Sequence, residues 1–211
     1  MARTGKSDGG RREGPFVARN ATEMRDLRDP RTLRAMAHPV RLELLEALGI
    51  EGPLTATQAA ELIGETPTTC SFHLRQLEKY GFVEDVGQPG ARERPWRLTN
   101  IGSRIPEDTG DSAIDLAAGA LTRMFLERSI GRIRDWFDNR QHYPSAWRQL
   151  TGLNETVWFV TAEELAELMN ELEPLMFRFT DRIADPSKRP AGAMPVEVLI
   201  FSYLMRFTGK D

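Results

Sequence analysis

The amino-acid sequence predicts a mainly α-helical protein with a small β component, an α+β fold. Apolar residues recur at helical spacing through most of the chain, as Val40, Leu44 and Leu48 do, and this spacing predicts amphipathic helices. Only short runs are rich in β-branched and aromatic residues, for example residues 156–160, and these favour single strands. Proline and glycine separate the stretches, so the sequence predicts many short elements.

The composition is that of a globular protein that works inside the cell. Its 211 residues are 40% hydrophobic and 28% charged, and no stretch reaches the roughly 18 apolar residues of a membrane span. The basic N-terminus is not followed by the apolar segment of a secretory signal. A single cysteine, Cys70, cannot form an internal disulfide. We therefore expect a cytoplasmic protein without a membrane partner.

Three parts of the chain differ in composition. Residues 1–20 are rich in glycine and arginine, so we expect a disordered basic tail that can also attract phosphate groups. Residues 21–103 contain closely spaced helix signals and form the first predicted domain, and residues 111–211 form the second. The net charge of −3 argues against a protein that coats nucleic acid by charge alone.

Four helices are predicted in the first domain. Each begins after a polar capping residue or at a proline, because a side-chain oxygen can bond the free amides of the first turn and proline has no amide to satisfy. Glycine or proline ends each of them. The predicted starts are Asp29-Pro30, His38-Pro39, Thr55 and Thr66-Pro67, and the predicted ends are His38, Gly49–Gly52, Gly64 and Gly81.

The third and fourth helices, with the segment after them, predict a winged helix-turn-helix. Two helices joined by a tight glycine turn form this motif when the second has a polar outer face. The inner face of the fourth helix carries Cys70, Leu74 and Leu77. Residues 82–86 and 94–98 then predict the two strands of a hairpin, the wing.

Three stretches of this region resemble the ArsR family of bacterial winged-helix repressors. They are AMAHPVRLELLEAL at 35–48, TPTTCSFHLRQLEKYGFV at 66–83 and RERPWRLT at 92–99. The resemblance implies a homodimer on double-stranded DNA, with the fourth helix in the major groove and the wing near the minor groove. It therefore implies a sequence-specific transcription regulator, more often a repressor.

Side chains on the outer face of the fourth helix and on the wing are the predicted DNA contacts. Hydroxyl groups can bond bases or phosphates, and arginine suits a guanine edge, a phosphate or a narrow minor groove. The predicted DNA-binding residues are Thr66, Thr68, Thr69, Ser71, Phe72, His73, Arg75, Lys79, Arg92 and Arg94. For Phe72 and His73, DNA contact and packing are both open.

The sequence predicts no metal site, no cofactor and no catalysis. Cys70 lies on the inner face of its helix, and His38, His73 and His142 are far apart in the sequence, unlike the grouped ligands of a zinc site. A nucleophile elbow, a glycine-rich phosphate loop and a zinc-protease motif are absent from the sequence. We therefore expect a binding protein and not an enzyme.

The second domain is predicted to be a long helix followed by a strand–helix–strand module. Apolar residues at helical spacing predict one helix over residues 111–140. The resemblance implies that this helix packs against its mate in the dimer, and an internal core helix is the alternative. The predicted strands of the module are residues 156–160 and 196–203.

The helix of this module has clear sequence signals at both ends. Thr161 and Glu164 form a capping box at its start. Pro174 lies off its apolar stripe and should kink it. Asp185-Pro186 should end it.

Aromatic and methionine residues of the second domain can line an apolar pocket. The candidate ligand-binding residues are Trp136, Trp158, Met176 and Phe179. A hydrophobic core or a dimer contact is the alternative for the same residues. Two other functions thus stay open: a regulator that responds to an apolar small molecule, and a winged-helix adaptor that binds protein instead of DNA.

Overall fold

A computed structural model describes residues 24–87 and 94–205. The helices within these ranges are α1 (Pro30–Met36), α2 (Pro39–Glu51), α3 (Ala56–Ile63), α4 (Pro67–Lys79), α5 (Ser112–Asn139), α6 (Ser145–Arg148), α7 (Ala162–Met176) and α8 (Asp181–Ala184). The strands are β1 (Met24–Asp26), β2 (Val83–Asp85), β3 (Trp96–Leu98) and β4 (Gly102–Arg104). The fold is mainly helical with a small β component, which confirms the predicted class.

The four helices predicted in the first domain are confirmed, and their caps explain where they begin and end. The Asp29 carboxylate accepts the Thr32 amide 3.0 Å away at the start of α1. Thr55 and Gln58 form a reciprocal capping box at the start of α3. Gly64 ends α3 with a φ of 73°, a left-handed conformation that costs glycine little. The tight turn at this glycine joins α3 to α4.

One hydrophobic core is shared by α1–α4, the wing and the first half of α5. Burying a leucine or valine side chain stabilises a fold by about 1.5–3 kcal/mol. The fully buried core residues include Leu27, Leu33, Leu44, Ala59, Leu74, Leu77, Val83 and Leu121. In the described part of the chain, the last hydrophobic residue packed on this core is Phe125. The core therefore ends midway along α5.

The predicted wing is confirmed by β2 and β3. These strands pair antiparallel, with Val83 opposite Leu98. The backbone of Trp96 also exchanges two hydrogen bonds with Leu54, at N···O distances of 2.8 and 3.0 Å. The wing is thereby attached to the loop before α3. Residues 88–93 at its tip lie outside the described residues.

A second, parallel strand pair was not predicted from the sequence. Residues Met24–Asp26 of β1 pair with Gly102–Arg104 of β4. Three residues are too few to show the alternation that identifies a strand in a sequence. This pair fixes the segment before α1 to the segment that follows the wing.

The long helix predicted over residues 111–140 is confirmed by α5. The Asp111 carboxylate caps it by accepting the Ala113 amide at 2.9 Å. Its N-terminal half packs against α1 within the same chain. Its C-terminal half, in contrast, exposes Ile130, Ile133 and Phe137.

The two strands predicted in the second domain do not form within the described single chain. Residues 156–160 and 196–203 belong to no strand or helix, and their side chains are exposed. A strand exists only where a neighbouring strand pairs its amides and carbonyls. Neither segment finds such a neighbour within the described chain.

The helix between these two segments is shorter than predicted. The capping box of Thr161 and Glu164 begins α7 as expected. The helix ends at Met176, two residues after Pro174, and α8 follows as a separate helix. Pro174 lies inside α7, and its missing amide and its ring affect the turn before it, so they do not account for the end of the helix at Met176.

None of the helices in the described ranges is long and apolar enough to cross a membrane. The tail predicted at residues 1–20 lies outside those ranges and stays a prediction. The division into residues 21–103 and 111–211 also stays a prediction.

Candidate nucleic-acid interface

The inner face of α4 is anchored in the core, which determines the face that turns outward. Cys70, Leu74 and Leu77 are fully buried, at spacings that keep them on one side of the helix. Burial raises the pKa of the Cys70 thiol, so this side chain is a protonated apolar group. The opposite side of α4 is presented to solvent.

Most of the residues predicted to bind DNA from α4 lie on this outer side. Phe72 is 58% exposed, so it is not a core residue. Thr69 and Ser71 are half-buried at the edge of the face. The exposed members of the predicted set are Thr66, Thr68, Phe72, Arg75 and Lys79.

The hydroxyl groups at the start of α4 differ in their roles. The Thr66 oxygen accepts the Thr69 amide at 3.1 Å and lies 2.9 Å from the Thr69 hydroxyl. Thr66 therefore caps the helix, and this holds its N-terminal turn in place. The Thr68 hydroxyl has no hydrogen-bond partner in the described chain, so it is available to a partner molecule.

The charge on this face is mixed. Arg75 and Lys79 are exposed, and so are Glu65 and Glu78. Charge alone would therefore attract a phosphate backbone only weakly. Hydrogen bonds from Thr68 and Arg75 are the features that can distinguish one base sequence from another.

The position of His73 differs from that of the other predicted residues, because its side chain is buried. Its ring lies on the ring of His38, with centroids 4.4 Å apart. The Nδ1 atoms of both rings are buried without a hydrogen-bond partner within the described residues. We therefore remove His73 from the predicted DNA contacts; its side chain packs α4 against the start of α2.

The surroundings of this histidine pair keep both rings neutral. Burial lowers the pKa of His38, and the nearby Arg41 guanidinium lowers it further. Burial, His38 and Arg41 lower the pKa of His73 in the same way, while Glu65 raises both values. A proton on either ring would add a cation beside Arg41.

The C-terminal end of α4 is held by Arg25, which the sequence analysis did not single out. Its guanidinium donates to the carbonyls of Tyr80 and Gly81 at 2.7 and 3.0 Å and lies 4.9 Å from the centre of the Phe82 ring. A cation at this end also complements the helix dipole. No signal in the sequence reveals the contact, because it depends on the unpredicted pairing of β1 with β4.

The wing presents two arginines that are each paired with a carboxylate. Arg94 Nε lies 2.5 Å from Asp85 Oδ2, and the Asp85 side chain is buried. Arg97 Nε lies 2.6 Å from Glu84 Oε1 at the surface. Arg94, a predicted DNA contact, is exposed beyond its ion pair. The other predicted wing contact, Arg92, lies outside the described residues.

The four candidate ligand-binding residues do not come together in one cavity. Trp136 lies on α5 beside Phe137, Trp158 lies before α7, and Met176 and Phe179 lie at the end of α7 and just after it. A groove of about 370 Å³ is lined instead by residues 106–108, by α5 residues and by Phe201. The described residues also contain no group of three His, Cys, Asp or Glu side chains arranged to hold a metal ion.

The comparison with protein-family models agrees with the helix-turn-helix geometry of α3 and α4. Residues 36–86 match the family model described as a helix-turn-helix domain. No curated protein matches the chain. Among solved structures, reduced HlyU from Vibrio cholerae N16961 is 19% identical and covers 44% of this chain and 83% of its own, with a TM-score of 0.28. Residues 36–86 thus form a helix-turn-helix domain, and a domain of this kind points to DNA as the partner.

Proposed function

We propose that this protein is a transcription regulator of the ArsR type that binds a specific DNA sequence as a homodimer and acts as a repressor. One observation carries the proposal. The second helix of a helix-turn-helix domain exposes Thr68, Phe72 and Arg75 on the face opposite its buried side. A face of this kind fits the major groove, where each base pair has its own pattern of donors and acceptors.

The role of each element follows from this placement. In the major groove, the Arg75 guanidinium can donate two hydrogen bonds to a guanine edge, and Phe72 can contact a thymine methyl group. At the start of α4, where Pro67 has no amide and Thr66 accepts the Thr69 amide, the Thr68 amide can donate to a phosphate. In the wing, Arg94 can contact the phosphates or the minor groove beside them.

A homodimer would place two copies of α4 on one face of the duplex. Two-fold symmetry makes the binding site a pseudo-palindrome with half-sites about one helical turn apart. The exposed side chains of Ile130, Ile133 and Phe137 on α5 support an interface beyond the core. We further propose that the protein acts in the cytoplasm by binding alone, without a catalytic step or a cofactor.

Fluorescence anisotropy on two labelled DNA fragments tests this proposal. One fragment comes from upstream of the gene for this protein, and the other has the same bases in scrambled order. We expect binding to the upstream fragment to be tighter by about a thousandfold or more, with both affinities falling as salt increases. Equal affinity for both fragments, or no binding, would contradict a regulator that acts on its own gene.

A further inference from the structure

The C-terminal part of the chain lacks a core of its own. Within the described residues, no hydrophobic side chain after Phe125 belongs to the hydrophobic core or packs on it. All residues from 152 to 160 and from 191 to 205 are exposed. A segment that leaves so many apolar side chains in water has an interaction surface.

The exposed apolar residues are concentrated in two segments. In segment A, residues 156–160, Phe159 is 98% exposed. Segment B, residues 196–203, contains Val198, Ile200 and Phe201, all exposed. Both segments are rich in the β-branched and aromatic residues that favour strands. Neither has a backbone hydrogen bond to any other residue of the described chain. Both segments therefore have the composition of a strand but lack a partner strand.

The total surface area of the chain is also too large for a complete folded monomer. It measures 16523 Å², whereas a monomer of this mass has about 9,900 Å². If the residues outside the described ranges are given the area of an unfolded chain, and the other residues that of a folded monomer, the expected area rises to only about 14,400 Å². The remaining excess, about 2,100 Å², exceeds the roughly 800 Å² that each partner buries in a stable interface.

Segment B is held in a defined place by Glu197. Its carboxylate accepts from Ser129 Oγ and from Arg132 Nε, both at 3.0 Å, and Arg132 Nη1 also donates to Glu46 of α2 at 2.8 Å. These bonds attach the segment to the part of α5 that exposes Ile130 and Ile133. The apolar residues of segment B thus lie close in space to those of α5.

We propose that a second copy of this chain covers these surfaces, and that segments A and B of the two copies pair as strands of a sheet between subunits. This inference rests on the homodimer of the proposed function but not on its DNA binding. A two-fold interface is self-complementary. Each copy brings two strand-prone segments without partners, so pairing across the axis satisfies the exposed backbone groups of both copies and buries their apolar side chains.

Hydrogen–deuterium exchange of the full chain, measured below and above the dimerisation concentration, tests this inference together with sedimentation equilibrium. We expect a dimer whose amides in segments A and B exchange slowly, and faster exchange of the same amides on dilution. A monomer at every concentration would overturn the inference and also the proposed homodimer. A dimer with fast-exchanging amides in both segments would overturn the strand pairing alone and place the contact elsewhere.

Two matched lysine variants make this test specific. Because Phe159 is almost entirely in solvent, Phe159→Lys should leave the fold of the single chain intact, with α4 still protected from exchange. We expect it to weaken the dimer at least tenfold and to remove protection from segment A. Leu153 is 80% exposed but lies outside both segments, so Leu153→Lys should change neither quantity. Equal effects of the two variants would contradict the proposed pairing.

Discussion

Arg25 shows how one side chain can stabilise α4 from outside the helix. Its guanidinium bonds two carbonyls that follow α4, those of Tyr80 and Gly81. Burial lowers the pKa of Arg25, so desolvation offsets part of the stabilisation that these bonds give. The net contribution of hydrogen bonds to a charged group is still favourable, typically about 1.5–3 kcal/mol each.

Replacing Arg25 should therefore destabilise the domain. We expect Arg25→Ala to lower the free energy of unfolding by about 1–3 kcal/mol in urea titrations, because two carbonyls lose their donor. Arg28→Ala is the matched control, since the Arg28 side chain is exposed and lies 3.6 Å from Asp26. If the Arg25 variant were as stable as the wild type, water would have to donate to the two carbonyls as well as the guanidinium does.

Arg75 is the exposed side chain of α4 with the most donors for a base edge. We expect Arg75→Ala to weaken binding to the preferred DNA sequence by about 1–3 kcal/mol, with a smaller loss on scrambled DNA. Anisotropy on both fragments measures the difference, and Arg134→Ala, an exposed arginine on α5, is the control. The same loss on both fragments would make Arg75 a phosphate contact.

The histidine pair between α2 and α4 should make the stability of the domain depend on pH. Burial and Arg41 hold the pKa of His38 and of His73 below the ordinary value of 6.5, against the opposite effect of Glu65. The unfolded chain then binds more protons than the native one as pH falls below 6.5. The free energy of unfolding is therefore greatest above pH 6.5, and it declines as the pH falls toward the lowered pKa values of the two histidines.

Removing one ring of the pair should reduce this pH dependence. We expect the urea midpoint of the wild type to decrease when the pH is lowered from about 7.5 to about 5.5. The decrease should be smaller in His73→Phe. His142→Phe, which replaces an exposed histidine, should retain the wild-type difference. A His73 variant with an unchanged pH difference would show that the pair does not control it.

At the wing, Arg94 is expected to contribute through charge. If it contacts one phosphate, Arg94→Ala should reduce the slope of log affinity against log salt by about 0.9. The change should be the same on the preferred and the scrambled DNA, because phosphates carry no sequence. An unaltered slope would indicate that the ion pair with Asp85 keeps the guanidinium away from DNA.

The elements that could be predicted from the sequence are those with local causes. Two helices begin at Thr55 and Thr66, and one ends at Gly64, through hydrogen bonds and backbone angles within a few residues. Their sequence signals are therefore sufficient. Segments A and B carry equally clear strand signals, but a strand needs a second strand, and no local signal says where that partner lies.

The candidate site shows the same division between local and distant causes. The helical repeat identified the buried and exposed faces of α4, but it could not place His73, whose ring packs on His38 at the start of α2. Arg25 was missed because its partners lie 55 and 56 residues away. The separation of Trp136 and Trp158 likewise depends on tertiary packing that aromatic composition does not reveal.

The whole molecule combines a well-packed helix-turn-helix region with a C-terminal part that exposes its apolar residues. The network of Glu46, Arg128, Arg132 and Glu197 joins α2, α5 and segment B. The same α2 packs against α4.

The most direct test of the account is to select DNA from a random pool with the purified full-length protein. If the outer face of α4 reads bases in a two-fold dimer, the selected DNA should contain an inverted repeat with half-site centres about 10 base pairs, or a multiple of that, apart. A variant with both Thr68→Ala and Arg75→Ala should lose this enrichment. A pool without any enriched sequence, or the same repeat selected by this variant, would contradict the account.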